Sequence, residues 1–297
     1  MTSYAELAAA TNFSFLTGAS QPAEMVAAAI ALGHQGLGIA DRNSVAGVVR
    51  AWRALKDARE AGQGIDFRLL SGARLGFVDG TPDIIAYPAN RAGWGRLTRL
   101  LSHGNLQAAK GDCILTLGDL IAWCDDLLLI IMPPPRLKSL PALLTRLRAR
   151  TPDLWLAAPM NRAGRDKRRL AELAALALAH DVPLLAVNDA LYAGPEARPL
   201  HDILTCIREG LRIEEAGRVL SANAERYLKP AAEMARLFAD APHALAEITG
   251  VLARISFDLG DLSYDYPHEP VPAGLTPQAW LEQLVGQKAA ARWPGGT

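Results

Sequence analysis

Seven short apolar runs alternate with amphipathic stretches over the first two-thirds of the chain, and this alternation limits its fold more than any other feature. The runs are Tyr4–Ala9, Gly36–Ala40, Phe67–Gly72, Asp83–Tyr87, Leu127–Met132, Leu154–Ala157 and Pro183–Val187. Each has the length of a strand and is bounded by turn residues such as Gly33, Gly80, Pro133 and Pro183. The stretches between them have helical spacing. Ala23–Leu32 follows Ser20 and carries Pro22 and Glu24 at its start, while Val45–Ala61 follows Asn43 and Ser44 and ends near Gly62. Gly93–Leu106, Leu117–Trp123, Leu140–Ala149 and Arg165–His180 complete the set, and Thr116 with Asp119 predicts a capping box. Alternation of this kind predicts an α/β fold, either a parallel sheet or a (β/α) barrel. Seven strands in so short a span favour a closed barrel, with a doubly wound open sheet as the alternative.

After Val187 the pattern changes. Asp202–Arg208, Ala231–Phe238, Pro242–Ile255 and Pro277–Ala291 have helical spacing with no strand between them. Tyr264 to Pro272 is rich in proline, which fixes φ and biases its neighbour away from helix, so an extended linker is expected there. The expected organisation is a barrel over 1–200, a helical extension packing on it over 201–260, and a linker opening a further region over 261–297. A helix begun beyond a linker with nothing after it reads as a truncated chain.

The 297 residues carry equal numbers of basic and acidic side chains, which argues against a chain that binds nucleic acid through an overall basic field. Cys113, Cys124 and Cys206 form no CxxC pair and are odd in number, so a reducing, cytoplasmic compartment is expected. The first ten residues lack the features of a secretion signal. The apolar run Leu127–Met132 is too short to span a bilayer.

None of the histidines, His34, His103, His180, His201, His243 and His268, stands in an HxH, HxxH or HExxH spacing. No P-loop, GxGxxG or GxSxG is present. In a barrel, chemistry collects at the C-terminal ends of strands. Those ends offer Ala8, Ala10 and Thr11, then Asp41 and Arg42, then Arg74, then Asn188 and Asp189. Asp41 and Asp189 are either a remnant carboxylate pair or capping residues. Basic residues cluster at Arg146, Arg148 and Arg150, and again at Arg162, Arg165, Lys167, Arg168 and Arg169. The second group is either a solvated helix face or a contact for DNA phosphates or a partner protein.

Several segments together resemble one family. Glu6 to Ser20, with Thr11-Asn-Phe-Ser-Phe-Leu-Thr-Gly18 at its centre, is similar to the opening motif of the PHP (polymerase and histidinol phosphatase) domain. Gly38-Ile-Ala-Asp-Arg-Asn-Ser-Val-Ala-Gly-Val-Val49 resembles its second motif. Ala186 to Tyr192, followed by Arg198 to Gly210, resembles its last motif and the sequence beyond it. Asn223 to Met234 and Tyr264 to Pro270 are similar to the error-prone C-family bacterial DNA polymerases, which are like DNA polymerase III alpha and act in damage-induced mutagenesis.

The resemblance implies a distorted (β/α)7 barrel of PHP type with a helical C-terminal extension. It implies a longer parent, a translesion polymerase and nucleotidyltransferase of DNA repair, replication and the SOS response. The parent's palm would hold Mg2+ beyond Thr297, leaving the fragment itself without a cofactor and not catalytic. The implied partners are the polymerase core of the same chain and, through the full-length protein, mutagenesis-cassette proteins, the sliding clamp and primer–template DNA, with no membrane. PHP domains elsewhere hold metals for phosphoester hydrolysis, and their ligands carry over one at a time. The first motif's two histidine positions are Ala8 and Ala10 here, and the second motif's Asp-His is Asp41 and Arg42. The third motif's glutamate is Arg74, a histidine position before the next strand is Asp83, and the last motif's Asp-x-His is Asp189 and Leu191. Only Asp41 and Asp189 match.

Alanine and leucine have no lone pair to donate, and arginine stays charged at any relevant pH. A guanidinium ~4 Å from a divalent ion costs on the order of 8 kcal/mol at an effective dielectric of 20. That equals a micromolar affinity, about 8 kcal/mol. The expectation is therefore a degenerate site with no metal and no catalytic residue, in which Arg42 and Arg74 neutralise Asp41 and Asp189 as a residual polar cluster. A scaffold supporting the polymerase core and docking partners follows. The competing readings are a residual metal-dependent phosphoesterase or 3′–5′ exonuclease, and a module that binds partners or DNA.

Overall fold

The computed structural model describes residues 4–263 and 270–294. Seven strands form one sheet in chain order: β1 (Ala5–Ala9), β2 (Gly36–Arg42), β3 (Arg68–Leu75), β4 (Ile84–Pro88), β5 (Leu127–Ile131), β6 (Leu154–Pro159) and β7 (Leu184–Val187). The sheet curls until β7 comes beside β1, where the Ala10 amide donates to the Ala190 carbonyl at 2.9 Å. The result is a nearly closed α/β barrel. Its strands are buried almost throughout, with every residue of β5 inside, as expected for a sheet covered on both faces.

The sheet is mixed, and here uniform strand–helix alternation fails. β4 runs antiparallel to both β3 and β5, while the other neighbours are parallel. A parallel neighbour needs a crossover connection. Gly76 to Asp83 is a short loop without a helix, so β4 can only turn back along β3.

Around the barrel lie α1 (Pro22–Ala31), α2 (Val48–Glu60), α3 (Arg91–Leu106), α4 (Leu117–Trp123), α5 (Leu140–Arg148) and α6 (Asp166–Ala179). Their apolar faces follow helical spacing; α2 buries Val48, Ala51 and Leu55. Thr116 and Asp119 form the expected capping box at the start of α4. Beyond the barrel come α7 (Arg198–Glu209), the short α8 (Ile213–Ala216), α9 (Ala231–Leu237) and α10 (Pro242–Arg254). Met234, Phe238, Ile248 and Val251 of this region share one core with the strands, and the Trp155 indole of β6 donates to Glu247 on α10 at 3.2 Å.

Met1–Asp261 form one compact unit, and Leu262–Thr297 form a second. The second contains α11 (Pro277–Arg292), whose first turn is capped by the Thr276 hydroxyl. Of the linker expected over Tyr264 to Pro272, positions 264–269 lie outside the described residues. No described helix is long and apolar enough to cross a membrane.

Tyr87 occupies the barrel interior. Gly38 and Gly72 leave room for it, since a Cβ on Gly38 would fall 2.2 Å from its hydroxyl oxygen and one on Gly72 2.4 Å from its ring. Its hydroxyl donates to the Leu7 carbonyl at 3.0 Å. Tyr87→Phe is expected to lower unfolding free energy by about 1 kcal/mol, because a buried carbonyl loses its donor. Urea unfolding checks this.

Candidate functional site

The ends of β1, β2, β3 and β7 bring the predicted site residues to one end of the barrel, where they divide among separate partners. Asp41, at the end of β2, is fully buried. One carboxylate oxygen accepts from the Thr11 amide at 2.7 Å and the Ser14 hydroxyl at 2.8 Å; the other accepts from the Thr11 hydroxyl at 2.8 Å. Gly47 leaves space beside that second oxygen, where a Cβ would lie 2.6 Å away. Burial raises the Asp41 pKa, and the Thr11 and Ser14 bonds oppose the rise without cancelling it. Asp41 thus has no arginine partner, which corrects the expected pairing. Two hydroxyls and an amide supply what a counter-charge would have supplied, and they tie the loop after β1 to β2.

A raised folded-state pKa means that ionising Asp41 costs more in the folded chain than in the unfolded one. Stability from this group is therefore full below the ordinary carboxylate range and falls as pH rises through the raised value. Asp41→Asn is expected to remove that fall. Urea midpoints from pH 4 upward check it, and an unchanged pH slope would count against this account.

Asp189 follows β7 in the left-handed region, at φ 53°. Its carboxylate lies between the guanidinium groups of Arg74 and Arg226, and Arg226 also donates to the Asp189 carbonyl at 2.9 Å. Burial alone would raise the Asp189 pKa, but Arg226 and Arg74 overcome it and hold the carboxyl below its ordinary range. Arg42 turns away from both aspartates. It pairs with Asp83 at 2.8 Å near the surface, and a Cβ on Gly76 would lie 2.4 Å from its guanidinium.

Ala8, Ala10 and Leu191 are at most 3% exposed. Ala8 belongs to the main core, and Ala10 and Leu191 pack with Ala19 and Tyr192. A metal does not fit these residues. Three carboxylates stand at the ligand positions that still have donors: Asp41, saturated by hydroxyls and an amide, Asp189, held by two guanidiniums, and Asp83, paired with Arg42. Among the described residues, no group of three or more His, Cys, Asp or Glu side chains could hold a metal ion.

Two features escaped the sequence reading. One is Arg226, the second cation on Asp189. The other is a buried network behind it. Glu6, the one charge in β1, accepts from the Ala8 amide, the Asn188 amide and the Tyr4 hydroxyl at 2.5–2.8 Å. Lys229, fully buried, donates to Asn188 at 3.0 Å, pairs with Glu225 at 3.3 Å and lies 4.3 Å from the Tyr227 ring centroid. An acid in an apolar strand and two cations in the Asn223 to Met234 stretch were the available signals.

The second basic cluster is largely engaged within the fold. Arg162 pairs with Glu225 and Glu233, Lys167 with Asp240 and Arg168 with Glu172. Arg169 donates to the carbonyls of Pro133, Pro134 and Pro135. Arg165 alone of the five makes neither an ion pair nor a side-chain hydrogen bond among the described residues. An unopposed cationic stripe for DNA is not what these residues form.

The PHP domain family matches residues 6–123, from β1 to the end of α4. An error-prone DNA polymerase from Rhodopseudomonas palustris is 50% identical over 99% of the chain, and one from Caulobacter vibrioides is 48% identical over 99%. The chain spans about a quarter of the length of these relatives, 26% and 27%. Among solved structures, an amidohydrolase from Chromobacterium violaceum overlaps 62% of this chain and 86% of its own, at 17% identity and a TM-score of 0.44. Residues 6–123 of this seven-stranded barrel thus match the PHP domain family, and the chain is similar over nearly its whole length to about a quarter of these error-prone DNA polymerases.

Proposed function

We propose that this chain is the non-catalytic PHP scaffold of an error-prone, damage-induced translesion DNA polymerase. The observation that carries the reading is the pairing of Asp189 with Arg74 and Arg226. Where a hydrolase needs a carboxylate free to hold a metal, this carboxylate joins three chain segments. The old ligand sphere serves stability, since breaking such a buried pair costs more than a surface one.

A scaffold needs a face to offer, and α7 supports that role. Leu200, Ile203 and Ile207 form a stripe on it, and each is about half exposed, at 48–59%. Helices that present such a stripe commonly dock against other protein. The remainder of the polymerase, with its Mg2+-dependent palm, is the occupant in this reading. Cassette proteins, the sliding clamp and primer–template DNA would be engaged by the full-length protein in the cytoplasm.

The test is metal analysis of the purified chain after expression with added zinc and manganese, together with a phosphodiester hydrolysis assay. Less than a tenth of an equivalent, about the level of adventitious binding, and no hydrolysis are expected. Stoichiometric metal with turnover would establish the phosphoesterase reading instead.

A further inference from the structure

The opposite end of the barrel, where β2 and β3 begin, carries a cavity of about 550 Å3. It lies among Ile30 of α1, the residues leading into both strands, and Leu252 and Ala253 of α10. Its volume is that of a small-molecule site. The wall is mainly apolar, with Phe67 and Leu252 only 4% and 5% exposed. Gly64 brings the loop before β3 against α1: its φ is 60°, and a Cβ there would fall 2.8 Å from Ile30 Cδ1.

His34 gives this cavity its chemistry. The imidazole is 5% exposed and is part of the wall. Its Nε2 lies 2.8 Å from the Lys229 carbonyl, and the Tyr4 ring meets it at a right angle, 5.1 Å between centres. A carbonyl only accepts, so Nε2 carries the proton and Nδ1 keeps a lone pair. Burial lowers the His34 pKa although the Lys229 bond opposes this, so the ring is neutral at pH 7. Nδ1 has no hydrogen-bond partner. A desolvated acceptor left unpaired is unfavourable, and buried polar groups are paired as a rule. Turning the ring would give up the Lys229 carbonyl.

The charges around the cavity restrict what can answer that lone pair. Arg68 donates through both terminal nitrogens to the Leu252 and Ile255 carbonyls. Asp66, the other charged lining residue, is an exposed carboxylate. An anion therefore meets no free cation here. A metal ion meets one imidazole and one carboxylate, short of a coordination set. A neutral molecule with an apolar body and one donor matches the wall, and a flat ring does so with the least loss of internal freedom.

We propose that this cavity binds a small neutral heteroaromatic molecule whose N–H donates to His34 Nδ1, with its ring against Ile30, Phe67 and Leu252. The inference goes beyond the scaffold reading and does not depend on it: metal content tests one, ring binding the other.

The experiment is equilibrium dialysis of indole against the 297-residue chain. A Kd of about 0.1 mM is expected for a ligand of indole's size. 1-Methylindole keeps the ring and lacks the donor, and should bind at least about tenfold weaker. Raising salt from about 50 to about 500 mM should change indole affinity less than about twofold, since neither the ring nor His34 is charged. Ala253→Trp fills the cavity from α10 and should abolish binding. Ala253 is exposed, so the thermal melt of this variant should overlay that of the parent chain. Phe15→Ala, which removes an exposed ring at the far end of the barrel, should leave binding unchanged. No retention of indole up to about 1 mM would overturn the proposal. Equal binding of 1-methylindole, or indole binding that survives Ala253→Trp, would also overturn it.

Discussion

Asp189→Asn is expected to lower the unfolding free energy by about 3 kcal/mol at neutral pH. The substitution changes little in volume but leaves the Arg74 and Arg226 guanidiniums facing each other with no anion between them. Arg74, Asp189 and Arg226 side chains are 14%, 14% and 25% exposed, so solvent screens this repulsion poorly. Removing one partner of a buried ion pair costs about 3–5 kcal/mol, and one variant here strands two cations. The pH dependence gives a second measure. The folded-state pKa of Asp189 lies below its ordinary range, so its contribution is present above the unfolded carboxyl range and is lost as pH falls through the folded value. In acid, the parent chain should therefore lose stability that the Asn variant never had. Urea midpoints at neutral pH and in acid should converge for the two proteins. A difference that persists unchanged into acid would show that Asp189 matters for its backbone position, at positive φ, and not for its charge.

How far such a site can be read from sequence depends on the range of each interaction. The seven strands were legible because burial on both faces writes an unbroken apolar run, as in Leu127 to Ile131. The reversal of β4 was not, because strand direction is set by the connection, and the absence of a helix between Gly76 and Asp83 is a weak signal beside seven strong ones. Arg74 beside Asp189 followed from the motifs, since both stand where ligands to a common centre would stand. Arg226 lies 37 residues beyond Asp189 in no barrel motif, and only the fold brings it back. The Asp41 pairing went wrong for a different reason. Looking for a charge to balance a charge passes over Thr11 and Ser14, although both stand in the first motif and a buried carboxylate can be satisfied by neutral donors.

Rebuilding the ligand set that the PHP resemblance implies puts the scaffold reading to its hardest test. The variant Ala8→His, Ala10→His, Arg42→His, Arg74→Glu, Leu191→His is expected to bind zinc or manganese at micromolar or better, and the parent chain to bind none. Its metal-free form should be less stable than the parent, because each imidazole placed at a buried position overpacks the core by about 1–3 kcal/mol. Metal should then raise its melting temperature in proportion to the logarithm of free metal concentration. The arginines are not equivalent in this experiment. Arg42 is half exposed and paired with Asp83, so keeping it should cost little affinity. Keeping Arg74 should abolish binding, since a guanidinium ~4 Å from a divalent ion opposes it by on the order of 8 kcal/mol at an effective dielectric of 20. Arg226 supplies the sharper discrimination. With it in place, Asp189 remains capped even after Arg74 is replaced, so adding Arg226→Gln should tighten metal binding at least about tenfold, or 1.4 kcal/mol. If titration calorimetry finds the two rebuilt variants equal, Arg226 is free to swing aside and the two-cation cap on Asp189 is not what keeps the metal out.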